Sequence, residues 1–134
     1  MNKAVSLTKK HKYRYRDSSC GVTRISVQMA KKHIHKIGNV LSVKGYRFRS
    51  IRQYKHDGET SHIKSTREAV LVKGDNGTAR FEGFCWGYGG EGPRGLTSLL
   101  VLLGMGQAKA DYFSRYNKRR DDYQLGIDWE LKFR

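Results

Sequence analysis

The class of fold is decided by the stretch AVLVKGDNGTARFEGFCW, residues 69–86. Ala69–Lys73 predicts a strand, Gly74–Gly77 a tight turn, and Thr78–Trp86 the strand that returns beside the first. The turn contains Asn-Gly, the best local hairpin signal in the chain. The stretch therefore predicts a β-hairpin as the centre of an antiparallel sheet.

Three further segments show the alternation typical of strands: His11–Arg16, Leu41–Tyr54 and Ile127–Phe133. In the second of them, a break in the alternation at Gly45 predicts a β-bulge. The buried side of this strand is predicted to consist of Leu41, Val43, Tyr46, Phe48 and Ile51. Beside it, a basic platform is predicted from Arg47, Arg49 and Arg52.

Apolar residues at helical spacing predict three helices. The first has Ser26 as its N-cap and ends at Gly38. The second has Pro93 at its first position and is apolar on almost all sides up to Leu103, which predicts that part of it forms an oligomer interface. The third runs from Ala108 to about Asp122. Together these elements predict a single α+β domain over residues 1–134, with an antiparallel sheet of about five strands, an N-terminal helix and a C-terminal helix pair.

The charge is concentrated in the first part of the chain. Residues 1–56 hold 15 Lys and Arg against one acidic residue, Asp17, whereas residues 57–134 hold 12 against 11, giving a formal charge of +15. A surface this positive predicts an anionic partner, with a solvated basic face as the alternative. An aromatic content of 11% argues against a disordered basic tail.

The composition also predicts the location of the protein. No apolar run approaches the roughly 20 residues that cross a membrane, so no membrane partner is expected. Cys20 and Cys85 are too few for a disulfide scaffold. We therefore expect a cytoplasmic protein.

The most informative segment is FCWGYGGEGPRGL, residues 84–96, in which a glycine-rich loop leads into a helix. Glycines let the backbone approach a ligand closely, and a helix N-terminus favours an anion. Arg94 adds a planar donor fork suited to phosphate, while Trp86 and Tyr88 offer flat faces for a base. The alternative is a turn that packs the following helix against the sheet. The G-x-G-x-x-G spacing in this loop does not indicate a dinucleotide fold, because the flanking pattern is hairpins rather than βαβ units.

No catalytic residues, metal or cofactor are predicted. His33 and His35 are two apart on a helix and point to different sides. Cys85 is expected in the core, and Glu91 lacks a partner for general base catalysis, so a polar cap or a ribose contact is its expected role.

Residues 84–96, the leucine-rich helix after them, Ala108, Tyr112 and Asp128-Trp129 resemble an uncharacterised phage and bacterial family with a W-G-Y-G-G-x-G-P-x-x-L core. They are also similar to the first Thoeris anti-defence family, small phage proteins that sequester cyclic ADP-ribose signals. The segment Thr23–Val27, which enters a lysine-rich helix, agrees with the second resemblance.

That resemblance implies a non-enzymatic protein that binds cyclic ADP-ribose isomers without cleaving them. It further implies a homo-oligomer based on a dimer, with a hexamer as one assembly, in the cytoplasm of the host cell. The ligand-binding residues it implies are Trp86, Tyr88, Gly89, Gly90, Glu91, Gly92, Pro93 and Arg94. Arg24 is added to them as a basic residue at the entrance of the first helix. For a second ligand, a cyclic oligonucleotide, it implies Arg115 and Arg119, four apart on the third helix, unless these pair with neighbouring aspartates.

Two other functions stay open from the sequence. The first is an RNA- or DNA-binding module, in which the N-terminal basic strands follow the phosphate backbone. In that case Tyr13, Tyr15, Tyr46 and Phe48 stack on bases. The second is an inhibitor that docks on an acidic host protein.

Overall fold

The computed structural model describes residues 12–17, 19, 21–117 and 125–133, and only the backbone of Arg52. The described elements follow in this order: β1 (Tyr13–Arg16), α1 (Thr23–His33), a 3₁₀ turn (Ile34–Ile37), β2 (Val40–His56), β3 (Glu59–Gly74), β4 (Gly77–Phe81), α2 (Glu91–Leu102), α3 (Gln107–Tyr116) and β5 (Gly126–Lys132). The predicted α+β class is confirmed.

The strands form one sheet in the order β1-β4-β3-β2-β5. β2, β3, β4 and β5 pair antiparallel, but β1 pairs parallel to β4, with Tyr13 opposite Gly77 and Arg16 opposite Arg80. The sheet is therefore mixed, and the prediction of a purely antiparallel sheet is wrong at this edge. No tight turn joins β1 to β4, so their relative direction is not restricted to that of a hairpin.

The predicted hairpin is present as β3 and β4, joined by a turn at Asp75 and Asn76. The Asp75 carboxylate accepts hydrogen bonds from the backbone and side-chain amides of Asn39, at 3.0 and 3.1 Å. β4 ends at Phe81 rather than at Trp86, because the next two amides donate to side chains instead of a neighbouring strand. The amide of Glu82 donates to Asp17, and that of Gly83 to Ser26.

Two predicted helix starts are wrong. α1 begins at Thr23, so Ser26 lies inside the helix, where its buried hydroxyl donates to Asp17. α2 begins at Glu91, two residues before Pro93. The predicted end of the first helical segment is confirmed, since Gly38 follows the 3₁₀ turn with a φ of 82°.

The third predicted helix is shorter than expected. α3 ends at Tyr116, and the ψ of 119° at Asn117 is that of extended backbone. Residues 118–122 of the predicted helix lie outside the described residues.

The two faces of the sheet differ in what covers them. On the helix-covered face, strand residues pack against the helices and the loop that precedes α2. That core includes Val43, Val70, Val72, Ala79, Phe81 and Trp129 from the sheet and Ala30, Ile34, Ile37, Phe84, Trp86, Leu96, Leu99, Leu100 and Ala110 from outside it. The side chains that alternate with these form the open face, which includes Lys44, Tyr46, Phe48, Leu71, Thr78 and Arg80. These side chains are half-buried, and none of them contributes to the core.

The predicted buried side of β2 is therefore wrong. Val43 points into the core, whereas Tyr46 and Phe48 lie on the open face. A bulge is present opposite Gly45, but its extra residue is Asp128 of β5 rather than a residue of β2. Pairing of β2 with β3 continues from Ser42 to His56 without a shift. The strand alternation is thus preserved through Gly45.

The predicted basic platform is also wrong. Arg47 is buried, with its guanidinium 3.4 Å from the Glu68 carboxylate, and Arg49 points away from Tyr46 and Phe48. Strand alternation places adjacent residues on opposite faces, so Arg47 and Arg49 cannot share a surface with Tyr46 and Phe48. The side chain of Arg52, the third predicted member, lies outside the described residues.

β2 and β3 extend beyond the rest of the sheet. Pairing with β5 reaches only Arg47, and pairing with β4 reaches only Val70. Residues 48–67 thus form a two-stranded ribbon that projects from the domain. None of the described helices is long and apolar enough to cross a lipid bilayer.

Candidate functional site

Close packing accounts for part of the glycine-rich loop. A Cβ atom at Gly92 would overlap the sulfur of Cys85, and one at Gly95 would overlap the side chain of Thr23. Gly95 therefore lets α2 approach α1 closely. At Gly89, by contrast, a Cβ would meet nothing within 4 Å, so packing does not explain that glycine.

Trp86 does not present a face to a ligand. The residue is fully buried, and its indole N–H donates to the Asp128 carboxylate at 2.6 Å. Its ring packs edge-to-face on Trp129 of β5, with 5.4 Å between centroids. The prediction of a stacking surface at Trp86 is wrong, because the side chain instead connects the loop to β5.

Tyr88 is the exposed aromatic residue of the loop. Its side chain is 43% exposed, and its hydroxyl lies 2.9 Å from the sulfur of Cys85. The phenol remains accessible to a ligand above the loop.

A groove between α1 and α2 brings together three of the predicted site residues. Its volume is about 380 Å³, and Arg24, Glu91 and Arg94 all line it. Lys31 of α1 and Ser98 of α2 are among its other polar residues, so three cations face one carboxylate. Arg24 and Arg94 are far apart in sequence and meet here because Gly95 lets their helices approach.

The N-terminus of α2 offers fewer donors than the sequence suggested. Pro93 has no N–H, and the amide of Arg94 donates to the Gly90 carbonyl at 3.0 Å. This leaves the amides of Glu91 and Gly92 without intrahelical acceptors. Glu91 already places a negative charge at the positive end of the helix dipole. An anion in the groove would therefore be neutralised mainly by the arginine and lysine side chains.

The structure describes only one of the two arginines predicted to form a second ligand site. Arg115 lies on α3 and does not line the groove, and its guanidinium is 3.9 Å from the Asp111 carboxylate. That contact is the surface pairing left open as the alternative. Arg119 lies outside the described residues.

Sequence reasoning missed a cluster of arginines around Glu82. Arg16 and Arg67 lie 3.6 and 3.8 Å from its carboxylate, and Arg80 is hydrogen-bonded to it. Burial opposes the charge of Arg80, but hydrogen bonds to Tyr46 and Glu82 outweigh that effect and raise the pKa of Arg80. The Arg-x-Glu spacing at residues 80–82 was the available signal, since strand alternation puts both side chains on one face. Arg67 joins them only through its register opposite Phe48.

His33 packs as a structural residue. Its ring stacks on Tyr15 with 3.9 Å between centroids, and its Nδ1 atom lies 2.5 Å from the Tyr13 hydroxyl. The side chains of Tyr13 and Tyr15 therefore lie on the helix-covered face, in contact with α1. Across the part of the chain that the structure describes, no three or more His, Cys, Asp and Glu residues are grouped as metal ligands would be.

An apolar cleft of about 640 Å³ lies between α3 and β5. Its walls include Met105, Tyr112, Phe113, Leu131 and Phe133. Asn117 also lines it, and the next seven residues fall outside the described ranges. We assign no ligand to this cleft.

Comparison of the chain with models of protein families, with curated proteins and with solved structures finds no match. The resemblance to the Thoeris anti-defence family therefore stays a prediction.

Proposed function

We propose that this protein is a non-enzymatic binding protein that sequesters a small phosphorylated nucleotide, with cyclic ADP-ribose isomers as the first candidates. The observation that supports this proposal most is the meeting of Arg24 and Arg94 in one groove beside the glycine-rich loop. The same ligand class follows from the sequence resemblance.

The groove suits a diphosphate. The guanidiniums of Arg24 and Arg94 would bind its oxygens, with each charge-assisted hydrogen bond contributing about 1.5–3 kcal/mol. Glu91 lines both this groove and the neighbouring cleft that contains Tyr88. In this arrangement Glu91 accepts hydrogen bonds from ribose hydroxyls, and Tyr88 takes the stacking role predicted for Trp86.

Binding without cleavage is part of the proposal. Glu91 is the one carboxylate that lines the groove among the described residues, and no histidine lines it there. The groove thus offers no acid–base pair, and the ligand is expected to leave intact.

We also propose a homo-oligomer in the cytoplasm of a host cell. Val101 and Leu102 are exposed on the outer side of α2, as an apolar contact between copies requires. The oligomer is based on a dimer, and a cyclic oligonucleotide at Arg115 is a separate, second part of the proposal.

Isothermal titration tests the main proposal. The purified protein is titrated with cyclic ADP-ribose isomers, cyclic trinucleotides and a short RNA at about 150 mM salt, where the Debye length is about 8 Å. We expect saturable heat from a cyclic ADP-ribose isomer, with intact ligand recovered after denaturation of the protein. Arg94→Ala should weaken binding about tenfold or more, which corresponds to about 1.4 kcal/mol.

The matched control is Lys109→Ala, which removes one exposed charge on α3 outside the groove. It should leave the affinity unchanged. The proposal is wrong if no cyclic nucleotide gives heat, if the ligand is recovered cleaved, or if the two variants weaken binding equally.

A further inference from the structure

We propose that the open face of the sheet binds single-stranded nucleic acid, a function separate from nucleotide binding in the α1–α2 groove. Four observations carry this inference: aromatic rings on an inner strand, a surplus of cations, the width of the surface, and a planar guanidinium placed over the rings.

The aromatic surface lies on β2, where the five-stranded part of the open face passes into the ribbon. Tyr46 and Phe48 are two residues apart on β2, and their ring centroids are 6.1 Å apart. The Arg80 guanidinium lies 4.8 Å from the Phe48 ring and 5.6 Å from the Tyr46 ring. Aromatic rings and arginine planes are the surfaces on which unstacked bases pack.

Cations surround this aromatic surface on every strand of the sheet. By register and alternation, the open face includes Arg14, Arg16, Lys44, Arg67, Lys73, Arg80 and Lys132, against the carboxylates of Glu82 and Glu130. Both carboxylates are already paired with these cations. The face therefore keeps a positive surplus that attracts phosphate groups.

The dimensions of the face fit a polymer better than one nucleotide. Five strands at about 4.8 Å spacing give a surface roughly 19 Å wide, with cations at both edges. On the same side, the ribbon continues the surface with Tyr54 and Ile63, which are 47% and 51% exposed. A small dianion would contact only part of this area.

A single strand fits better than a duplex. The bases of a duplex are stacked inside the helix and cannot reach Tyr46 or Phe48, whereas those of a single strand can turn outward onto the sheet. Since every nucleotide carries both a phosphate and a base, one strand can place its phosphates against the cations and its bases against the rings.

Fluorescence anisotropy with labelled oligouridylate and oligothymidylate of about 10 nucleotides tests the proposal. We expect saturable binding that weakens steeply between about 50 and 200 mM salt. Phe48→Leu should weaken binding about 5- to 100-fold through lost stacking, as expected for one base. The double variant Arg14→Gln/Lys73→Gln should reduce the slope of log K against log salt by about 1.4, since each lost phosphate contact contributes about 0.7.

Arg49→Gln is the matched control, because Arg49 is adjacent to Phe48 but points to the opposite side of the ribbon. Arg49→Gln should bind the oligonucleotides almost as tightly as wild type does. Arg94→Ala should do the same, so that a failure of the groove proposal and a failure of this one can be distinguished. The proposal is overturned if no single strand binds, if a duplex of equal length binds as tightly, or if Arg49→Gln weakens binding as much as Phe48→Leu. Equal competition by polyglutamate would also overturn it, in favour of an acidic protein partner.

Discussion

Phe81 and Phe48 show how differently the two faces of this sheet use the same side chain. Phe81 is fully buried on the helix-covered face, with Phe84 and Tyr15 at centroid distances of 5.5 and 5.8 Å. Phe48 is half-buried on the open face, where its neighbours are Tyr46 and the Arg80 guanidinium. One face forms the core of the domain, and the other leaves its aromatic residues half-buried beside a guanidinium.

The largest expected effect compares these two phenylalanines. Phe81→Ala creates a cavity in the core and should reduce the free energy of unfolding by about 3–5 kcal/mol. Phe48→Ala removes a side chain that already contacts water and should cost about 1 kcal/mol. Urea denaturation of both variants measures the difference. Equal losses would show that the open face is covered in solution and would contradict the distinction between the faces.

A smaller effect is expected at Trp86, which the sequence placed in the binding site and the structure places in the core. Trp86→Phe keeps an aromatic ring but removes the hydrogen bond to the Asp128 carboxylate, which should reduce the free energy of unfolding by about 2 kcal/mol. Binding of a cyclic ADP-ribose isomer by the folded variant should be unchanged. A loss of affinity without a loss of stability would show that Trp86 contacts the ligand and would contradict its assignment to the core.

The smallest effect is a dependence of stability on pH through His33. Burial, followed by the charges of Lys36 and Lys32, lowers the pKa of His33 below 6.5. The unfolded chain then takes up a proton at higher pH than the native state does. Stability should therefore be complete above pH about 6.5 and should decrease as the pH falls towards the native pKa.

Urea midpoints measured at pH about 7.5 and about 5 test this prediction. His33→Phe keeps a ring on Tyr15 but cannot titrate, so its midpoint should change less over the same interval. An equal change in the variant and in the wild type would assign the pH dependence to other groups.

Local signals made the strands and the hairpin predictable from sequence. The turn at Asp75 and Asn76 and the last strand both follow from nearby residues alone. The faces of β2 were not predictable in the same way, because the extra residue of the bulge is Asp128 of β5, and the alternation of β2 through Gly45 is intact. Ser26 has a good N-cap side chain, yet its partner Asp17 lies on the segment after β1, which only the tertiary structure brings close.

The candidate site was predictable only in part, because it too depends on contacts between residues that are far apart in the sequence. Arg24 and Arg94 were identified by residue type, but their common groove depends on the packing of Gly95 against Thr23. The burial of Trp86 depends on β5, more than 40 residues later in the chain. In the arginine cluster around Glu82, only the contact with Arg80 follows from spacing within one segment, and Arg16 and Arg67 join it through the register of their strands.

Amide chemical shifts recorded while an unlabelled oligouridylate of about 10 nucleotides is added would test most directly whether the two sides of the sheet have separate roles. The structure predicts that the shifts which change belong to residues 44–48, 69–73 and 78–80. Those of α1 and α2 should change only when a cyclic ADP-ribose isomer is added. Changes confined to the α1–α2 groove with both ligands, or no change on the sheet, would contradict this account.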